Sequence, residues 1–257
     1  MTSGVTLERD QTVRESYARD ASGLWKVPDC VARPVAAGEV AEIVRDATSA
    51  RTTVTAAGAQ TSTTGASVSD GGILLSMRAM ARVLGIDAIA RTATVEPGVL
   101  LGDLQRTLAP HGLFFAPDPT SDQECTVGGA IACNASGPRT LRYGATRAHV
   151  RALTVVLASG EMVRVARPRV DKNTVGFAFA QDPVDWFVGS EGTLGVIVAA
   201  ELALLPRPAR EVGIAIPLPG EREAFAVALA ARESAAVRPR CLEYFDAGAF
   251  ANVCMRL

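Results

Sequence analysis

Apolar positions along the chain recur in two periods. Over 36–50, AAGEVAEIVRDATSA places Val40, Ile43, Val44 and Ala47 on one face, which predicts a helix. VLLGDLQRTLAPHG (99–112) has the same spacing and stops at Gly112, predicting a second helix. Elsewhere the pattern is strand-like. RTTVTAA (51–57) is rich in β-branched residues, and GGILLSM (71–77) reads as a short buried strand. ARVLGID and RTATVEPG (81–98) alternate as a hairpin. HVRALTVVLASGEMVRVA (149–166) predicts another, turning at Ser159-Gly160. DPVDWFVGSEGTLGVIVAAELALLP (182–206) reads as a short helix, a glycine loop and a long buried strand. Beyond Pro206 and Pro208 the pattern becomes strand (EVGIAIPL), helix (GEREAFAVALAARESAAV), strand (RCLEYFD), the beginning of a further α+β unit.

Three small-residue loops join these segments: Gly58–Gly65 (GAQTSTTG), whose small and polar residues cannot form a core, Thr126–Gly137, which opens on a Thr cap, and Gly189–Gly195. Glycine and alanine let main-chain N–H groups approach a ligand, and successive N–H groups form an anion-binding concavity. Thr61, Ser62, Thr63 and Thr64 add hydroxyls. One such loop is as easily an ordinary turn. Three of them beside strands favour a phosphate-bearing cofactor. The motif G-x-x-x-x-G-K-[ST] is absent, so no standard P-loop is present. Gly189, Gly192 and Gly195 do not match G-x-G-x-x-G, which disfavours a Rossmann site, and no G-x-S-x-G elbow occurs.

Composition narrows the classes further. Apolar residues make up 48% and charged residues 21%, a core-forming mixture rather than a disordered one. Net charge is -1, so no basic surface for nucleic acid is expected. The longest apolar run, near Val196 to Leu205, is interrupted by Glu201, and no transmembrane segment is expected. The first twenty residues carry acids and match no signal peptide. Five widely spaced cysteines without C-x-x-C read as reduced thiols of a cytoplasmic protein. With only His111 and His149, no metal site is expected.

In order, the stretches AAGAQTSTTGA (56–66), VEPGV (95–99), FAPDPTSDQECTVGGAIACNASGPRTLRYGATRAHV (115–150) and GSEGTLGVIVAAELAL (189–204) resemble the PCMH-type FAD-binding domain of the vanillyl-alcohol oxidase superfamily. The likeness is to the N-terminal part of the glycolate oxidase / D-lactate dehydrogenase branch, which acts on 2-hydroxy acids, and covers roughly residues 20–210. The resemblance implies an α+β fold in which two subdomains sandwich an extended FAD. The expected layout is an N-terminal segment 1–30 and an FAD-binding domain 31–210, with subdomains about 31–115 and 116–210. A truncated start of a cap or substrate domain would occupy 211–257.

The resemblance also assigns residues. Ala57, Gly58, Ala59, Gln60, Thr61 and Ser62 would present N–H groups to the pyrophosphate, and Gly65 would close that loop. Pro117, Asp118, Pro119 and Ser121 would run beside the flavin end. Thr126, Gly128, Gly129 and Ala132 would pack on the cofactor, where larger side chains would collide with it. Glu191, Gly192, Gly195 and Ile197 would line the ribose and adenine side. The loop departs from the family in Ala59 and Gln60, where glycine is usual. No histidine for covalent attachment is present, so FAD is expected to be non-covalent. Cys125 and Cys133 are expected to be small buried thiols. His149 is expected to make structural hydrogen bonds, His111 to sit at a helix end, and Arg139, Arg142 and Arg147 to form a solvated or ion-paired face, with holding of a carboxylate or phosphate as the alternative.

The implied function is hydride transfer from a 2-hydroxy acid of the glycolate, D-lactate or 2-hydroxyglutarate type to the flavin. Base and carboxylate-holding groups come from the cap and C-terminal segment in the resembled enzymes, so no catalytic residue is named. A flavin-binding module or truncated chain without activity of its own, or an alcohol or sugar oxidase of the same superfamily, remain the alternatives. The expected partners are a small-molecule substrate and a partner subunit or missing C-terminal part.

Overall fold

Two sheets, each with helices on it, position three loops at their meeting edge. The computed structural model describes residues 6–168, 170, 172, 174 and 182–254; the extremes of the expected N-terminal and cap segments, 1–5 and 255–257, lie outside these. The first sheet contains β1 (Leu7–Glu8), β2 (Cys30–Ala32), β3 (Val54–Ala57) and β4 (Ile73–Ser76) in the order β1-β2-β4-β3. β2 and β3 both run parallel to β4, while β1 lies antiparallel on β2. Parallel strands need a crossover. Here α2 (Ala37–Ser49), which follows the short α1 (Gln11–Ser16), supplies it. It buries Val40, Ile43, Val44 and Ala47 with Ile73 and Leu75, the face its 3.6-residue period selects.

The second sheet is antiparallel: β5 (Val83–Asp87), β6 (Thr92–Val95), β8 (Val150–Val156), β9 (Met162–Ala166) and β10 (Val196–Ala203), in the order β5-β6-β10-β8-β9. Its core takes Leu101, Leu104 and Leu108 from α3 (Leu101–Leu108) and Val127 and Ile131 from α4 (Val127–Ala132). Gly112, at φ +65°, ends the turn after α3 as its position in the sequence indicates. β7 (Leu113–Phe114) then pairs with β11 (Leu205–Pro206). Two further short helices follow, α5 (Thr140–Tyr143) and α6 (Val184–Phe187). β10 serves both cores. Val196 and Val198 join the α2 side, and Ile197, Ala200 and Leu202 the other, across an irregularity in register between Ile197 and Ala199.

Two expectations differ from the structure. The second sheet draws β5 and β6 from before residue 116, because the 81–98 hairpin pairs with β10 rather than with the first sheet. In the last part, α7 (Glu221–Glu233) forms where a helix is expected and α8 (Ala247–Cys254) follows, but neither 211–218 nor 240–246 is a strand. Val212 and Ile214 are 78% exposed. Alternation selects a face, but a strand also needs a neighbour to take its N–H and C=O groups, and among the described residues no strand pairs with these segments.

Candidate functional site

The three small-residue loops converge where the ends of β3, β6 and β10 meet. A narrow compartment is walled by Ala56, Ala57, Gly58, Met77, Pro97, Thr126, Gly128, Gly129, Ala132, Glu191, Gly192, Gly195, Val196 and Ile197. A wider one, ≈ 320 Å³, continues along Ala59, Gln60, Thr61, Ser62, Thr63, Thr64, Ala66, Ser67, Pro119, Ser121, Cys125, Ala130, Cys133, Ala135 and Ser136. Ala56, Gly58, Thr126, Gly129, Ala132 and Glu191 belong to both, so the cleft is continuous.

The main chain carries the polar chemistry. Among the described residues, none of the N–H groups from Gly58 to Thr63 donates to a protein acceptor. The next donors are used locally: Thr64 N–H reaches Ser62 Oγ at 3.3 Å, and Ala66 N–H reaches Thr64 Oγ1 at 3.4 Å. Main-chain donors are rarely left without partners unless solvent or a ligand takes them. The start of α4, by contrast, is fully used. Val127 N–H donates to the Val99 carbonyl and Gly128 N–H to the Pro97 carbonyl, both at 2.8 Å, and Gly129 N–H to Thr126 Oγ1 at 3.3 Å. The unbroken run of unpartnered main-chain donors therefore lies in the 58–63 loop and not at the start of α4.

The small residues are required by neighbouring protein as much as by a ligand. A β-carbon on Gly128 would lie 2.6 Å from Pro97 Cβ, and one on Gly195 2.6 Å from Val155 Cγ1. Gly129 has only Thr126 Oγ1 nearby, at 3.2 Å, and is open towards the cleft. The expectation that all four of Thr126, Gly128, Gly129 and Ala132 are kept small by the cofactor is thus narrowed, since Gly128 is constrained by Pro97.

Three expected site residues do not line the cleft. Gly65, at φ +80°, closes the loop against Leu24. Pro117 is buried, and Asp118 turns to Arg139, accepting from its N–H and pairing with Nε, both at 3.0 Å. Burial pushes the Asp118 carboxyl above its usual range despite Arg139. Residues beyond the sequence assignment complete the walls. Pro97 stands within the VEPGV stretch, whereas Met77 directly follows the end of β4 and carries no signal in sequence.

Charged groups brace the cleft from outside. Arg147 donates through Nη1 to Asp185 Oδ1 at 3.0 Å and through Nη2 to the Val188 carbonyl. Arg167 pairs with Asp182 and, at 2.7 Å, with Asp185. These contacts fix the turn that leads into the Gly189–Gly195 loop. Arg142 donates to the Arg238 carbonyl. His149 is buried and its Nε2 donates to the Tyr143 carbonyl at 2.8 Å, with burial lowering its pKa. Cys125 is buried as expected, but Cys133 is exposed, its thiol 3.7 Å from Ser62 Oγ, because α4 ends there at the cleft rim. Burial pushes the Cys125 thiol up, and the Cys133 sulfur, partly covered at the rim although its residue is exposed, shifts the same way. Among the described residues no group of three His, Cys, Asp or Glu side chains could hold a metal ion, and no helix is long and apolar enough to cross a membrane.

Two α/β sheets meeting at a cleft lined by loop N–H groups and small side chains define a nucleotide-cofactor-binding domain. Residues 28–166 match the family described as FAD binding domain. The chain belongs to that family, and its cofactor is FAD. It is 35% identical to a D-lactate dehydrogenase of Anaerostipes hadrus, over 80% of this chain and 42% of that protein. It is 34% identical to glycolate oxidase subunit GlcD of Bacillus subtilis, over 90% and 48%. A D-2-hydroxyglutarate dehydrogenase of Xanthomonas citri pv. viticola is 35% identical over 79% and 43%. The chain spans about half the length of the curated relatives it matches. Among solved structures, an alkyldihydroxyacetonephosphate synthase shares the fold, with TM-score 0.69 and 24% identity over 79% of this chain and 38% of that one.

Proposed function

We propose that this chain is the FAD-binding part of an oxidoreductase for 2-hydroxy acids, holding the dinucleotide non-covalently. The observation that carries the cofactor assignment is that Gly58 to Thr63 line the cleft while none of their N–H groups has a protein acceptor among the described residues. Two linked phosphates need many such donors, and charge-assisted hydrogen bonds to them are strong. Gly58, Ala59, Gln60, Thr61 and Ser62 would hold the pyrophosphate. Pro119, Ser121, Cys125 and Ser136 would flank one end of the cofactor, and Glu191, Gly192, Gly195 and Ile197 the other. When bound, the flavin accepts hydride from a CH–OH carbon.

The substrate class rests on the relatives, which are named for D-lactate, glycolate and D-2-hydroxyglutarate. Non-covalent binding is supported by the cleft itself. Of the two thiols that line it, Cys125 is buried, and burial pushes it towards its protonated form. Neither histidine lines the cleft, so among the described residues no imidazole base reaches the site. The proton acceptor and the carboxylate-holding groups would come from a partner subunit or from further sequence. That same observation supports the second reading, a flavin-binding module inactive by itself. The free thiols fit a reducing compartment such as the cytoplasm.

Reconstitution with FAD is the test. The protein should turn yellow, and acid or heat denaturation should release all the flavin. Bleaching by D-lactate, glycolate or 2-hydroxyglutarate supports the enzyme, and bound flavin that no donor bleaches supports the module. A well-folded chain that never takes up FAD overturns both.

A further inference from the structure

We propose that residues 17–26 are a working part of the dinucleotide site, with Gln60 as the positioning residue that connects them to it. This rests on the reading that the 58–65 loop receives the phosphates. Gln60 sits at φ +57°, in the region that favours glycine. Its side-chain nitrogen donates to the Tyr17 carbonyl at 2.9 Å and to the Ser67 carbonyl at 3.0 Å. Both acceptors are carbonyls, so only the NH₂ end of the amide can occupy this position. One amide thereby ties the end of α1, the loop tip and the loop's return limb together.

Asp20 makes a second tie to the same limb. It is only 8% exposed; Oδ2 accepts from Ser67 Oγ at 3.3 Å, and Oδ1 accepts from Ser22 N–H at 2.9 Å. Lys26 N–H donates to the Ala18 carbonyl at 2.8 Å, closing 18–26 into a loop of its own. Residues 17–26 precede the region matched by the family, 28–166.

The physical consequence concerns order. Six consecutive N–H groups serve an anion only if they point the same way before it arrives; otherwise ordering them weakens binding. A glycine-rich loop has no side chain to do this. Gln60 accepts an unfavourable φ and supplies two anchors in return. Gln60→Gly therefore separates two outcomes. Relief of backbone strain would leave the loop ordered and binding unchanged or tighter, whereas loss of the clamp loosens the loop.

The experiment compares the parent with Gln60→Gly, Gln60→Glu, whose carboxylate cannot donate to two carbonyls, and Asp20→Ala. Backbone ¹⁵N order parameters are measured on the chain without cofactor, and FAD affinity by quenching of flavin fluorescence. In the parent, 58–67 should be rigid, with values near ~0.85; in both Gln60 variants they should fall below ~0.6. FAD dissociation constants should rise on the order of 10-fold, with little change in melting temperature. Asp20→Ala should act in the same direction. Unchanged order parameters in Gln60→Gly, or FAD bound as tightly as by the parent, would overturn the clamp. If the parent itself takes up no FAD, the dinucleotide reading fails, while the order parameters still decide whether Gln60 orders the loop.

Discussion

Gly58 stands directly against the hydroxyl of Thr126: a β-carbon at position 58 would lie 2.3 Å from Thr126 Oγ1. That oxygen also accepts from Gly129 N–H at the start of α4. The two loops are therefore interlocked through one atom. A side chain at 58 must displace either the cap or the loop that carries the free N–H groups. Gly58→Val is expected to weaken FAD binding at least ~10-fold and to cost about 1–3 kcal/mol of stability through overpacking. Flavin titration and thermal unfolding check this. FAD binding by the variant equal to that of the parent would show the loops to be independent.

Thr126 can be tested without crowding. Its side chain is the N-cap of a six-residue helix, and the residue is 1% exposed. Thr126→Ala should cost ~1 kcal/mol, whereas Thr126→Ser keeps the acceptor and should cost less. In a chain of this size that corresponds to a drop of roughly 2–4 °C in melting temperature. Equal melting temperatures for the Ala and Ser variants would remove the hydroxyl from the account.

Much of this arrangement is legible in the sequence, for a physical reason. A loop such as GAQTSTTG has no apolar side chains to bury, so its use must lie in its backbone, and residue type alone shows this. Amphipathic α2 and the two hairpins are legible because one face of each is buried. Three things are not. Whether 211–218 forms a strand depends on a neighbour the pattern does not contain. Met77 reaches the cleft only because β4 ends there. Gln60 reads as an intrusion because its partners, Tyr17 and Ser67, are carbonyls, and main-chain acceptors leave no mark in sequence.

Asp185 holds two arginines at the entry to the last loop, accepting from Arg167 Nη2 at 2.7 Å and Arg147 Nη1 at 3.0 Å. Hydrogen bonds from Arg167, then from Arg147, keep its carboxyl below the usual range against some desolvation. Its side chain is 38% exposed, so solvent screens these pairs and Asp185→Asn should cost only about 1 kcal/mol. The sharper effect is local. Arg147 also holds the Val188 carbonyl, so the 189–195 loop should loosen and FAD affinity should fall more than global stability does. A variant that melts earlier yet binds FAD as the parent does would confine Asp185 to a stability role.

Two buried groups contribute to the pH dependence of stability in separate windows. Burial lowers the His149 pKa below its ordinary 6.5. The unfolded chain therefore binds that proton first, and the contribution, present above about 6.5, is lost as pH falls through the folded value. Glu96 is also buried. Desolvation raises its carboxyl, but Arg82 outweighs this by donating from its main-chain N–H at 2.8 Å, Nη2 at 2.7 Å and Nε at 3.1 Å, leaving the pKa below 4.5. Its contribution is present above that value and is lost as pH falls further. Melting temperature should thus fall in two stages on acidification. His149→Gln should remove the stage just below pH 6.5 and keep the acid one. Glu96→Gln should be less stable than the parent at pH 7, because it can no longer accept from Arg82 as a charged group, and should lose less than the parent below 4.5, where the Asp185 carboxylate also titrates. If His149→Gln kept the full slope between pH 6.5 and 5, its imidazole would not be the group that titrates there.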